Sequence, residues 1–243
     1  MSANQSPVNK STNPPRPFHY APPQEALDII HEDNFIIIVK KPAGLLSVPG
    51  KADHHKDCLE TRLKAIIPDA RTVHRLDMAT SGLMIFAKSP QAHRHLGLQF
   101  EKRYVKKTYQ ARVSGQVSGQ SGYINLPIIT DWPNRPLQKI CFQHGRAAQT
   151  HWRVTERYDN FTDVELYPIT GRSHQLRLHM KSLDFIKEHH LGHPILGDAL
   201  YAHEHAYNAA PRLMLHASRI EFFHPEDGRS MVFLAPEDFH KWL

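Results

Sequence analysis

Residues 149–169, Gln-Thr-His-Trp-Arg-Val-Thr-Glu-Arg-Tyr-Asp-Asn-Phe-Thr-Asp-Val-Glu-Leu-Tyr-Pro-Ile, decide the fold class. They read as two consecutive strands, 149–158 and 163–169, with no helical segment between them. The same reading recurs on either side. Upstream, 107–113 and 123–126 are strand-like; downstream, so are the short runs 212–216, 220–223 and 231–234. Nearer the start, 27–30 and 35–40 form two strands across the turn-like His31-Glu-Asp-Asn34, and 83–87 is an apolar strand. Helical signals are fewer. Residues 58–67 place Leu59, Leu63, Ile66 and Ile67 on one face and stop at Pro68. Ser89-Pro90 is a cap residue followed by proline at the first helical position, opening a helix to about 103 with Leu96 and Phe100 inward. A third helix follows Gly171, and Ala235-Pro-Glu-Asp238 opens a short terminal one. Strands outnumber helices and do not alternate regularly with them. The expectation is an α+β fold with a largely antiparallel or mixed sheet, not a doubly wound one.

Composition bounds the rest. The 243 residues suit one large domain or two small ones, and 40% hydrophobic content supports a sizeable core. Residues 1–24, rich in Pro, Ser and Asn, read as a disordered tail, with the Tyr20-Ala-Pro-Pro stretch lying extended against a body of 25–243. No apolar run approaches membrane-spanning length, and no signal-type segment opens the chain. Cys58 and Cys141 lie far apart in no metal-type pair, as expected of inert thiols in a reducing cytoplasm. A net charge of +6 suits either a polyanion binder or a merely basic surface. The 19 histidines include His54-His55 and His189-His190 but no His-Glu-x-x-His and no finger spacing, so solvated histidines are expected rather than a metal site.

Four segments carry candidate chemistry. His74-Arg-Leu-Asp-Met-Ala-Thr-Ser-Gly82 sets Asp77 beside Arg75, in a loop leading into the strand at 83–87. A carboxylate held ionised by neighbouring arginines can act as a nucleophile; an Asp that caps a turn is the plainer alternative. Lys106-Lys-Thr-Tyr-Gln-Ala111 puts Tyr109 on a strand after a basic run that either faces solvent or meets phosphates. Ile169-Thr-Gly-Arg-Ser-His-Gln-Leu-Arg177 opens the third helix, on which Ser173 and Arg177 would share a face. Leu213-Met-Leu-His-Ala217 reads as a buried strand.

These four segments resemble the motifs of the RluA family of RNA pseudouridine synthases, and the likeness runs from about residue 27 to 240. It includes the stretches 41–50, 131–136 and 192–198, of which Asp131-Trp-Pro-Asn-Arg-Pro136 points to the branch that modifies both 23S rRNA and tRNA. The resemblance implies a pseudouridine synthase fold with an active-site cleft across the sheet, and an isomerase that needs no nucleotide, metal or organic cofactor. It implies Asp77 as nucleophile, Tyr109 stacked on the target base and placed to take the C5 proton, and Arg177 paired with Asp77. Arg75, Arg172, Lys106 and Lys107 would contact RNA, and Leu215 would floor the pyrimidine pocket. It also implies a cytoplasmic monomer without the N-terminal S4 RNA-binding domain of many relatives, and an insertion at 184–190. The first chemical step stays open between attack at C6, attack at C1′ and a glycal route. The alternatives are a related synthase for another tRNA site, an RNA-binding or ribosome-assembly protein with dispensable catalysis, and a histidine-rich metal-dependent hydrolase.

Overall fold

The computed structural model describes residues 19–183 and 192–242. The expected insertion at 184–190 therefore lies outside the described residues. So do the first eighteen residues of the expected tail, whereas Tyr20 is already anchored: its hydroxyl donates to Asp57 O and accepts the Leu46 N–H.

The N-terminal half is a hairpin with two helices laid on it. β1 (Asp28–Glu32) turns through Asp33, whose carboxylate accepts the N–H groups of Phe35 and Ile36, into β2 (Ile36–Lys41). Next come α1 (Leu59–Ile66), β3 (Arg71–Thr72), β4 (Ser81–Ala87) and α2 (Pro90–Glu101). Ser89 caps α2 by accepting the Ala92 N–H, as its sequence predicts. β2 and β4 are apolar at almost every position because both of their faces are covered. Ile36, Ile38, Leu83 and Ile85 pack toward Leu96 of α2, and Ile37, Val39, Met84 and Phe86 toward Leu59 and Leu63 of α1.

The second half supplies β5 (Lys106–Ser114), β6 (Ser121–Asn125), β7 (Ile128–Thr130), β8 (Gln138–Ile140), β9 (Gln149–Arg157) and β10 (Phe161–Pro168). They are followed by α3 (Gln175–Ser182), α4 (Glu204–Asn208), β11 (Leu215–Phe223) and β12 (Ser230–Leu234). The main sheet runs β1-β2-β4-β11-β5-β10-β9-β6, with β12 beside β11 and β3 beside β4; β7 and β8 form a separate hairpin. Among the described strands, only the β4–β11 pair is parallel. It joins the two halves through Ser81 opposite His216 and Gly82 opposite Ala217. A side chain at Gly82 would put its Cβ 2.3 Å from Ala217 O, so only glycine permits this seam.

The expected α+β class and mixed sheet are the observed ones. Three boundaries differ. Residues 215–216 and 220–223 belong to the single strand β11, irregular between Ala217 and Arg219, and 212–214 precede it. α3 begins at Gln175, because His174 adopts a left-handed conformation (φ 55°) that delays the helix, so Ser173 shares no helical face with Arg177. A 3₁₀ turn at Phe239–Trp242 replaces the expected terminal helix. Among the described residues, no helix is long and apolar enough to cross a membrane.

Candidate active site

Asp77 sits in the loop between β3 and β4, and the backbone on both sides of it is clamped. Ser47 Oγ donates to Leu76 O (2.7 Å) and accepts the Leu76 N–H (3.1 Å). Beyond Asp77, Met78 O accepts the Gly44 N–H (2.9 Å) and Lys41 Nζ (3.0 Å), and the Asp77 carbonyl closes a turn with the Thr80 N–H. The break after β2 thus holds the signature loop. Lys41 is fully buried, and Nζ also donates to Pro42 O and Leu45 O, giving an acceptor for each ammonium hydrogen. Burial pushes its pKa down to about 7, against the opposing charge of Asp77.

Arg177 enters from α3 and faces two carboxylates. Its Nη1 reaches Asp77 Oδ2 at 3.4 Å, while Nε and Nη2 clasp Asp198 at 2.8 and 2.5 Å. The bidentate partner is therefore Asp198, and the expected Arg177–Asp77 pair is one longer contact. The Asp198 side chain is 0% exposed and that of Asp77 27%. Burial works against the Asp198 charge, yet Arg177 and the N–H groups of Leu200 and Tyr201 outweigh it and hold the carboxyl below its usual range. Burial likewise works against the Arg177 cation, and Asp198 overcomes it. The guanidinium lies over the Tyr201 ring, 5.2 Å from its centroid. Tyr201 Oη hydrogen-bonds His174 Nδ1 (2.8 Å), and the other nitrogen of His174 stands 4.0 Å from Asp77. The left-handed turn that displaces α3 thus aims His174 at the carboxylate.

Tyr109 comes from β5, opposite Ala217 of β11, and packs against the two apolar clusters that the seam joins. Burial, and secondly the charge of Asp77, raise its phenol above the ordinary range. Leu215 is buried beside it on β11, opposite Ala111. Arg75 is exposed. Arg172 is half-buried, its Nε donating to Ala147 O, and burial followed by Arg146 and Arg103 disfavours its charge. Lys107 alternates with Tyr109 onto one face of β5, with Nζ 3.9 Å from where a Cβ on Gly171 would stand. Lys106 points to the opposite face and pairs with Glu221 at 3.3 Å. The two lysines, both expected to contact RNA, thus lie on opposite faces of the strand.

Sequence reasoning assigned no role to Asp198, Lys41, His174, Tyr201 or Ser47. All five fall in or beside motif stretches, but only the third dimension shows what each one grips. Among the described residues, no three His, Cys, Asp or Glu side chains are placed to hold a metal. Several histidines are structural instead. His74, in the signature itself, accepts the Ile85 N–H and stacks on Phe100, and burial pushes its pKa down to about 3.

A loop-borne carboxylate, a half-buried tyrosine and a buried guanidinium, set where two half-sheets meet, define the class. The RNA pseudouridylate synthase family model matches residues 35–182, and the chain belongs to that family of isomerases. It is 51% identical over 91% of its length to the dual-specificity RNA pseudouridine synthase RluA of Escherichia coli (strain K12), covering 98% of that protein. It is 47% identical to the RluA of Vibrio cholerae, over 91% of this chain and 87% of that one. The fold is shared with human RNA pseudouridylate synthase domain containing 1 (TM-score 0.71, 26% identity, 92% of this chain and 87% of that one).

Proposed function

We propose that this chain isomerises uridine to pseudouridine at specific positions in both 23S rRNA and the tRNA anticodon loop. The observation that carries this reading is the set around Asp77: a partly exposed carboxylate, held by the backbone on both sides and faced by the buried Arg177. Such a group is aimed and reachable by a base that has left its stack. The N1–C1′ bond breaks, the base turns, C5 joins C1′, and the C5 proton leaves. Tyr109 is the group proposed to take that proton. In the free site its phenol is held neutral, in part by the charge of Asp77. On any route in which Asp77 is still covalently held when C5 is deprotonated, that charge is gone, so the phenol can pass its own proton to water and take the C5 proton as the phenolate. Arg177 orients Asp77 from its anchored position on Asp198. Leu215 supports the pyrimidine, Arg75 fills the space the flipped nucleotide leaves, and Arg172 and Lys107 meet phosphates. Residues 25–243 act as one catalytic domain, a monomer working in the cytoplasm where its RNAs are.

The test is mass mapping of pseudouridine in an anticodon stem-loop and a 23S rRNA hairpin incubated with the protein. Wild type should convert one uridine in each. Asp77→Asn should bind both RNAs and convert neither. Near wild-type conversion by the Asn variant would overturn the assignment.

A further inference from the structure

The β7–β8 hairpin carries the stretch Asp131–Pro136, which the catalytic reading leaves without a use. Trp132 and Phe142 are the two most exposed large apolar side chains among the described residues, at 67% and 76%. Trp132 stands at the hairpin tip with the Arg135 guanidinium 4.8 Å from its ring centroid. The tip is pre-shaped by its own hydrogen bonds: Asp131 N–H to Leu137 O, Asn134 N–H to Asp131 O, and Leu137 N–H to Asn134 O. Its one acid, Asp131, is engaged by Asn134 Nδ2 (2.8 Å) and Lys139 Nζ (3.1 Å). Arg146, where the hairpin meets β9, lies close enough to Arg172 to disfavour that residue's charge. The hairpin is also tied to the site. The Gln138 N–H donates to Tyr201 Oη at 2.8 Å, and the Tyr201 ring lies under Arg177.

A single exposed apolar residue needs no explanation. An exposed indole backed by a guanidinium, on a rigid tip whose carboxylate is already engaged, is a different object. It offers a flat apolar face and positive charge together. An acidic peptide would use the charge and waste the ring; a nucleotide uses both, the base on the ring and the phosphate on the cation. We propose that Trp132 and Arg135 form a stacking platform for one nucleotide of the RNA other than the flipped uridine. Because Gln138 fixes the hairpin to Tyr201, the platform reads a base at a set distance from the reacting one, and so helps decide which RNA loops are accepted. The proposal rests on the synthase reading and extends it to substrate choice.

The test measures the dissociation constant and the single-turnover rate on a protein-free anticodon stem-loop, for wild type, Trp132→Ala, Trp132→Tyr and Arg135→Gln. A lost base stack should weaken binding by Trp132→Ala roughly five- to a hundredfold. The rate at saturating RNA should stay within about twofold of wild type, since the substitution leaves the chemistry intact. Trp132→Tyr should recover most of the affinity. Arg135→Gln should flatten the slope of log K against log salt by about 0.7–0.9, while Trp132→Ala leaves that slope unchanged. Binding by Trp132→Ala within twofold of wild type overturns the platform. So does a lost rate at saturation with unchanged affinity, which would make the hairpin a support for Tyr201. If Trp132→Ala melts below the assay temperature, the Tyr and Gln variants decide by the same readouts. A wild-type protein that binds the stem-loop and converts no uridine would instead sink the synthase reading itself.

Discussion

Arg177 touches two carboxylates, and the geometry ranks them. Asp198 takes the planar fork, with both side chains almost sealed from water, and Asp77 takes only the outlying Nη1. A guanidinium locked by one acid is a fixed surface against which a second can be aimed. The ranking separates stability from chemistry. Asp198→Asn leaves a buried cation without its main partner, and breaking such a pair costs about 3–5 kcal/mol. Asp77→Asn removes a longer, partly exposed contact and should change the unfolding free energy by less than about 1 kcal/mol. Urea unfolding of the two variants should show this order, with Asp198→Asn also slowing the chemical step in the protein that remains folded. Equal stability losses would mean that Arg177 shares itself evenly. The pH sign follows from the depressed Asp198 pKa. The folded state releases this proton more readily than the unfolded chain, so the pair's stabilisation is full above about pH 4 and lost as pH falls through the folded value. That Asp77 and Arg177 come together was legible because their motifs are long and specific. Asp198 was not: its stretch, 192–198, could be quoted, but which of two acids holds one arginine depends on distances that spacing does not encode.

At the scale of elements, β5 shows how much one residue of register decides. Its period of two places Lys107 with Tyr109 and sends Lys106 to the far face with Glu221. Lys107→Ala should therefore weaken RNA binding and flatten the salt slope by about 0.7–0.9, one phosphate's worth. Lys106→Ala should leave both within error. Filter binding across a salt series checks this, and equal effects would show that the RNA wraps both faces of the strand. The lysines could be read in sequence as a basic run but not as a divided one, because neither one's facing follows until Tyr109 is known to point inward. Elements with their own local signals were the legible ones: α2 begins where Ser89-Pro90 predicts, and α1 follows the one-sided apolar spacing that ends before Pro68. Elements set by partners were not. β11 reads as two strands because Ser218-Arg219 interrupts the apolar pattern, yet pairing with β5 and β12 carries the strand through. α4 spans five residues, too short for a periodic signal. The parallel β4–β11 seam joins residues some 135 positions apart, as Ser81 and His216 show, and nothing local announces it.

Across the whole molecule, two buried imidazoles tie distant parts of the sheet together and set its response to acid. His216 Nε2–H donates to Ala235 O (2.7 Å), leaving Nδ1 to accept from Ser81 Oγ (2.8 Å) across the seam. His179 Nε2–H donates to Leu126 O (3.1 Å), leaving Nδ1 to accept from Thr150 Oγ1 (2.9 Å). In each case both ring nitrogens are satisfied by the neutral form, and both side chains are fully buried. A proton on either ring would turn an acceptor into a second donor and place a charge where water cannot reach it; at His216 the Glu237 carboxylate, 3.8 Å from Nδ1, favours that charge and Lys40 and Arg212 oppose it, but burial outweighs them all. Burial accordingly pushes both pKa values down to about 4. In the unfolded chain both titrate near 6.5. Over that window His74, held neutral by burial, behaves alike, so the unfolded state binds three protons that the folded state does not, and stability falls as pH falls. The slope should approach about 4 kcal/mol per pH unit, three protons at 1.36 each. Urea unfolding at intervals from pH 7 to 4 measures it. His179→Gln keeps a donor and an acceptor but cannot titrate; it should lower stability at pH 7 and take about a third off the slope below pH 6. A wild-type profile flat from pH 6.5 to 4.5 would mean that these imidazoles take up protons in the folded state, and that the seam tolerates charge.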